Sequence, residues 1–162
     1  MQFTVDNRSM QRTVVLLKPD TLQRGLVGEI IHRFERKGLK LVGLKMMAIS
    51  DAILDEHYAH HKDKLFFASL KAFMSSAPIV SILLEGIDAI AVVRKMAGAT
   101  NSREAELGSI RGDFSMSTSA NIIHVSDSEA SAKEEEVRFF KGEEIFDWQA
   151  AVSDYLYAED EK

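Results

Sequence analysis

The chain has 162 residues, a formal charge of −5, 46% apolar and 28% charged side chains, and no cysteine. Those figures describe a single globular domain and exclude disulfides, thiolate nucleophiles and thiolate metal sites. The acidic balance also speaks against a partner gripped through a phosphate backbone, so no nucleic-acid partner is expected and any phosphate site must be local.

Residues 1–11 mix Asp6, Asn7 and Arg8 with isolated apolar residues and lack the apolar stretch of a secretory signal, which makes them an N-terminal extension. No stretch approaches the ~20 apolar residues that span a bilayer, so no membrane partner and a cytoplasmic location are expected. Thr13 to Lys18 is a β-branched apolar run stopped by Pro19, which predicts a first strand with Lys18 at its end. Leu26, Val27, Ile30, Ile31 and Phe34 recur at helical spacing, and Gly38 marks the stop.

From Leu39 to Ser50, apolar Val42, Leu44 and Met46 stand at spacing two, as on one face of a half-buried strand. Asp51 to His61 reads as a short helix and Phe66 to Met74 as another, ended by Ser75-Ser-Ala-Pro78. Ile79 to Leu84 reads as a strand buried on both faces, and Ile87 to Ala97 as a helix. Gly98 to Ala120 is a long polar loop, a feature that is usually functional inside a compact domain. Asn121 to Val125 reads as the fourth strand, and Ser126-Asp-Ser128 offers caps to a helix running to about Phe139. Residues 149–162 form a polar, acidic tail around Tyr155, Leu156 and Tyr157, and the pattern leaves open whether it docks.

The order β-α-β, helices, β-α-β is the signature of an α+β ferredoxin-like split βαβ sandwich, a four-stranded antiparallel sheet with helices on one face. No GxxxxGK[ST] run is present, so bound nucleotide phosphate would have to be held by cationic side chains such as Lys18, Arg94 and Arg111. His124 ends a strand ahead of a helix N-terminus, where an anion would be favoured. On position alone it is either a catalytic histidine or a strand histidine satisfied by a core hydrogen bond. His57, His60 and His61 stand at i, i+3 and i+4 and read as a solvated helix face rather than a metal site. Glu134-Glu-Glu136 reads as an exposed helix face, Met46-Met47 and Phe66-Phe67 as core.

At Asn121-Ile-Ile-His-Val-Ser-Asp-Ser128 the sequence resembles the active-site signature of the nucleoside diphosphate kinases. Four further blocks fit in order: Lys18-Pro-Asp20 with Gln23-Arg-Gly-Leu-Val-Gly-Glu-Ile-Ile31, then His57-Tyr58, Gly98-Ala-Thr-Asn101, and Ile110-Arg-Gly-Asp-Phe114. The likeness runs without a gap from about Arg12 to Trp148, so a domain at 12–148 is expected. It implies a phosphoryl transfer from nucleoside triphosphates to nucleoside diphosphates by a ping-pong route, with His124 as nucleophile and Glu135 holding the other imidazole nitrogen. Lys18, Tyr58, Arg94, Thr100, Arg111 and Asn121 match the positions that grip phosphates and sugar. Phe66 matches the aromatic on which the base stacks, with Leu70 beside it, which implies broad base tolerance. Mg²⁺ is the implied cofactor, and a homo-oligomer, hexamer or smaller, the implied assembly.

Four positions depart from the family pattern. Val125 replaces glycine or alanine next to the histidine, Thr118 replaces an apolar residue near the base, and Ser102 and Leu107 replace loop prolines. The two loop departures bear on assembly; Val125 bears on the nucleophile. The rival readings are a binding module of the same fold whose activity has lapsed and a ferredoxin-like RNA-binding domain, the latter lacking its aromatic motif.

Overall fold

The computed structural model describes residues 10–161, so the extension expected at 1–11 falls, up to residue 9, outside the described residues. Strand β1 (Met10–Leu17) occupies the interior of the sheet, whose order is β2-β3-β1-β4 with β2 at Lys40–Met47, β3 at Ile79–Ile87 and β4 at Ile123–Val125. Every pairing is antiparallel, Val14 facing Leu83 and Leu16 facing His124. This is the expected ferredoxin-like arrangement.

The helices cover both faces rather than one. Val15, Leu17, Val80 and Ile82 pack against α2 (Val27–Lys37) and α5 (Ala89–Ala97). Val14, Leu16, Ile79 and Leu83 pack against α3 (Asp51–His57), α4 (Phe67–Met74) and α7 (Glu129–Phe139). Alternate residues of each central strand therefore enter different cores, which is why β1 and β3 are written as continuous apolar runs. Leu16 and Leu17 are both fully buried, and each contributes on the order of 2 to 3 kcal/mol of apolar burial.

Where β2 meets β3 the register slips between Leu41 and Gly43, a β-bulge that reverses which residues face inward. Val42 faces one core, and after the bulge Met47 packs on that same side, while Leu44 and Met46 are left exposed. The expected single face of Val42, Leu44 and Met46 is thus broken, and Met46 is not core. Gly43 admits the Phe140 ring, which a Cβ would meet at 2.9 Å.

Further boundaries differ from the sequence expectation: β3 runs on to Ile87, where a helix was expected to begin, and α5 starts only at Ala89. The helix expected over 51–61 ends at His57, and a separate 3₁₀ turn holds Ala59–His61. The loop 98–120 contains α6 (Ile110–Phe114), capped by the Ser109 hydroxyl, which accepts from the Gly112 amide. The fourth strand starts at Ile123 because Ile122 has a φ of 75°, a left-handed value costly for a β-branched residue. The preceding helix α1 (Pro19–Gln23) begins with a proline at a position where its missing N–H is no loss.

The C-terminal segment docks. Phe146 donates its amide to Val42, Trp148 donates Nε1 to the Leu41 carbonyl, and the Ile87 amide donates to the Tyr157 hydroxyl. A short helix α8 (Ser153–Leu156) brings Leu156 over Gly38, the left-handed cap of α2. These contacts cover part of the edge of β2, where unpaired backbone would otherwise be exposed.

Candidate active site

Every residue singled out for chemistry lines one cleft of about 910 Å³: Lys18, Tyr58, Phe66, Leu70, Arg94, Thr100, Arg111, Asn121, His124 and Glu135. They lie in or directly beside seven elements, β1, α3, α4, α5, α6, β4 and α7, and in the loop after α5, so the cleft exists only once the sheet has closed. The end of β1 supplies Lys18, β4 supplies His124, the end of α3 supplies Tyr58, α6 supplies Arg111 and α7 supplies Glu135.

His124 is partly exposed, and its Nε2 lies 2.7 Å from Glu135 Oε1. A buried carboxylate beside Nε2 places the imidazole proton there, so the Nδ1 lone pair is left for the cleft. Glu135 is held in turn: the Ser126 hydroxyl donates to Oε2 at 2.6 Å, and the Val14 amide donates to that hydroxyl at 3.1 Å. Ser126 is therefore a support of the glutamate rather than a helix cap, and the cap of α7 is Ser128. A carboxylate, Asp127, already sits on the first turn of α7 by accepting from Ser131, so positive potential in the cleft comes from side-chain cations instead of a bare helix N-terminus.

Those cations are pinned. Lys18, 7% exposed, donates Nζ to Asn121 Oδ1 at 2.6 Å, and Asn121 donates to the carbonyls of Thr100 and Thr118. Burial, with Arg111 nearby, pushes the Lys18 ammonium down to about 8. Arg111 donates to the carbonyls of Gly98 and Ile123, and burial followed by Arg94 lowers it to about 10. Its Nε and the Tyr58 hydroxyl are buried without partners among the described residues, two donors at the cleft with capacity to spare. Gly98 has a φ of 81°, and a Cβ there would overlap the Ser109 hydroxyl that caps α6, so the carbonyl receiving Arg111 depends on glycine.

Ile122 is clamped in its left-handed conformation by the segment after β1. The Ile122 amide donates to Asp20 Oδ2 at 3.0 Å, and the Ile122 carbonyl accepts from the Lys18 amide at 2.9 Å and from the Thr21 hydroxyl. Strain of roughly 1 to 3 kcal/mol is held by these bonds one residue pair away from His124. Val125, by contrast, lies within β4 opposite Val15 and carries no positive φ.

His57 departs most from its sequence reading. It is buried, not solvated, with its ring 4.5 Å from that of His124 and 4.6 Å from that of Tyr58. Burial, with His124 adding, drives its imidazole down to about 2, so it is neutral. Its Nδ1 is 3.7 Å from Glu135, an ion-pair distance that carries no ion pair because the ring is uncharged. The only local signal for this position was its adjacency to Tyr58. His60 is exposed, and the His61 ring stands 5.2 Å from that of Phe66. Phe66 is 47% exposed, available as a platform, whereas Phe67 packs partly against the core. Of the acidic run, Glu134 is exposed and Glu136 lies 3.5 Å from Arg12.

A family model described as nucleoside diphosphate kinase matches residues 11–145. The chain is 55% identical over 152 residues to a nucleoside diphosphate kinase of Parabacteroides distasonis, spanning 94% of this chain and 99% of that one. It is 49% identical over 150 residues to the enzyme of that name from Archaeoglobus fulgidus, spanning 93% and 99%. Among solved structures, a halophilic nucleoside diphosphate kinase from Halobacterium salinarum in complex with CDP superposes with a TM-score of 0.91 at 43% identity, covering 93% of this chain and all of that one.

Proposed function

The chain belongs to the nucleoside diphosphate kinase family, and from that premise we propose that it moves the γ-phosphoryl group of a nucleoside triphosphate to a nucleoside diphosphate through a phosphohistidine at His124. The observation that carries the mechanism is the 2.7 Å contact of His124 Nε2 with buried Glu135. With the proton held on Nε2, Nδ1 attacks phosphorus and the diphosphate leaves; a second diphosphate then takes the group from Nδ1. Ping-pong kinetics follow, because one cleft serves both half-reactions.

Phosphoryl transfer leaves little covalent work to the protein beyond the nucleophile, since charge spreads over the equatorial oxygens and must be stabilised. Lys18 and Arg111 are held by carbonyls and by Asn121, so they are oriented before substrate arrives. Arg94, Thr100 and the spare Tyr58 hydroxyl complete the proposed grip on phosphate and sugar. Phe66 and Leu70 offer a stacking face to any base, which supports broad tolerance.

Magnesium fits here as a companion of the nucleotide. Both oxygens of Glu135 are engaged, Asn121 Oδ1 is taken by Lys18, and Lys18 and Arg111 offer only cationic nitrogen, whereas magnesium takes an octahedron of oxygens, so phosphates and water would hold it with exposed Asp127 toward its water shell. Bound there, it would supply neutralisation of phosphate charge.

We take residues 12–148 as the catalytic domain, 1–11 as an extension and 149–162 as an acidic tail. A homo-oligomer, hexamer or smaller, is proposed: Leu44 and Met46 on β2 and Leu107 in the long loop leave apolar surface for other subunits to cover. No helix among the described residues is long and apolar enough to cross a membrane, and a cytoplasmic site of action is part of the proposal.

The test is incubation with γ-labelled ATP followed by acid. The expected outcome is an acid-labile label on the wild-type chain, chased off by a diphosphate, and none on His124→Ala. Label on that variant would refute the assignment.

A further inference from the structure

One group on the cleft floor has no part in the chemistry above. His57 is 6% exposed, and neither ring nitrogen has a hydrogen-bond partner among the described residues. Leaving a buried polar group unpaired is unfavourable, and such groups call for an explanation. Beside it stand the proposed nucleophile, His124, and the glutamate that holds it, Glu135. Glu135 Oε1 is 3.7 Å from His57 Nδ1 and 2.7 Å from His124 Nε2. One donor atom from each of the three lies within 4.8 Å of the others.

Tetrahedral zinc with bonds of ~2.0–2.1 Å sets neighbouring ligand atoms ~3.3 Å apart. The two spacings from Glu135 bracket that value, and modest closure of the two imidazoles would complete the set. Two imidazole nitrogens and one carboxylate, with a fourth position left open to the cleft, suit a borderline transition-metal ion and do not suit magnesium. We propose that His57, His124 and Glu135 form a binding site for a divalent metal ion of the zinc class, and that its occupancy switches the enzyme off.

The inhibitory step follows from tautomer chemistry and rests on the reading of His124 as nucleophile. The metal ion takes the lone pair of Nε2, so the N–H bond at Nε2 breaks and the neutral ring carries its proton on Nδ1 instead. That proton occupies the lone pair that would attack phosphorus. Glu135 exchanges its hydrogen bond for a metal bond, and His57 gains the partner it otherwise lacks. Zinc in this site therefore blocks transfer without filling the cleft.

Binding and inhibition are read separately, so failure of one is distinguishable from failure of the other. Zinc chloride titrated calorimetrically into chelator-stripped full-length protein, with magnesium in excess, is expected to fill one site per chain. His57→Ala should weaken that site at least ~tenfold, since loss of even an outer-shell partner of a metal ligand costs that much. A His60→Ala/His61→Ala double variant should leave it unchanged, since that neighbouring pair, nearer the surface, is the competing location. Four-coordinate cobalt added to the stripped protein should show intense visible bands that vanish in His57→Ala. If His57→Ala lacks the wild-type circular dichroism, Glu135→Gln reads the same ligand set. Zinc affinity indifferent to both substitutions, or lost in the double variant, overturns the site. Zinc binding at full occupancy with unchanged phosphoryl transfer overturns the switch.

Discussion

The floor and the rim of the cleft are built on different terms. On the floor, Glu135, Lys18, Asn121 and Arg111 are buried, and each is tied to backbone or to another floor residue. On the rim, Phe66 is 47% exposed, and His60 and Thr118 are exposed as well. Groups that must meet developing charge are cheap to use only when already oriented, which the floor provides. A face that accepts different bases needs no such precision, because stacking depends on area more than on direction. Rigidity is thus placed where the phosphoryl group would move and withheld where the base would sit.

Substitutions at the two levels sharpen that contrast. On the floor, Lys18→Ala and Arg111→Ala are each expected to lower kcat by roughly 10² to 10⁴, the usual loss when a preorganised transition-state contact is removed. Steady-state kinetics on variants with wild-type circular dichroism would check this, and either one turning over at the parental rate would break the proposed clamp. On the rim, Phe66→Ala should raise KM about tenfold through ~1 to 3 kcal/mol of lost stacking while leaving kcat close to the parental value. A fall in kcat comparable to that of the lysine variant would show that rim and floor are not separable.

Between the two lies Val125, next to the proposed nucleophile yet in ordinary strand geometry. Because the left-handed residue is Ile122 and not Val125, Val125→Gly relieves no backbone strain at that position. Turnover is expected to change by less than about tenfold, equivalent to ~1.4 kcal/mol in the barrier. A hundredfold gain would mean that the valine misplaces His124.

The smallest effect expected is a proton count. Burial lowers the Lys18 ammonium from 10.5 to about 8, so in the free protein it loses charge as pH rises through that value. A bound phosphate favours the charged form and raises it again, so nucleotide binding should take up as much as one proton between about pH 8 and 10.5, and none well below pH 8. Calorimetry in buffers of different ionisation enthalpy measures that uptake, and Lys18→Ala should abolish it.

Much of this molecule is written locally. The β-branched run ending at Pro19, the helical spacing from Leu26 to Phe34 with Gly38 as its stop, and the caps before α7 each name an element through the few residues around it. The cleft residues were legible for a different reason: short blocks of matched sequence brought Lys18, Tyr58, Arg111 and His124 forward, although they are scattered along the chain. Chain periodicity alone did not separate His124 from an ordinary strand histidine.

What escaped the sequence depends on partners far along the chain. The inward direction of β2 reverses because Val42 is bulged out against β3, and Met46 follows it to the surface. His57 belongs to a histidine-rich stretch that reads as solvated, yet the closing of α3 and α7 over β4 buries it against His124 and Phe139. Ile122 adopts a backbone that its own side chain opposes, because Asp20 and Thr21 hold it there across a sequence separation of about a hundred residues. The sequence by itself determined the order of the four strands and the larger helices, the two-sided burial of β3 and the residue types available for phosphate chemistry, since those rest on local spacing and composition. The tertiary structure alone decided which nitrogen of His124 faces the cleft, which histidine lies beneath it and where the backbone is strained, since each is a contact between segments that meet only when the sheet closes.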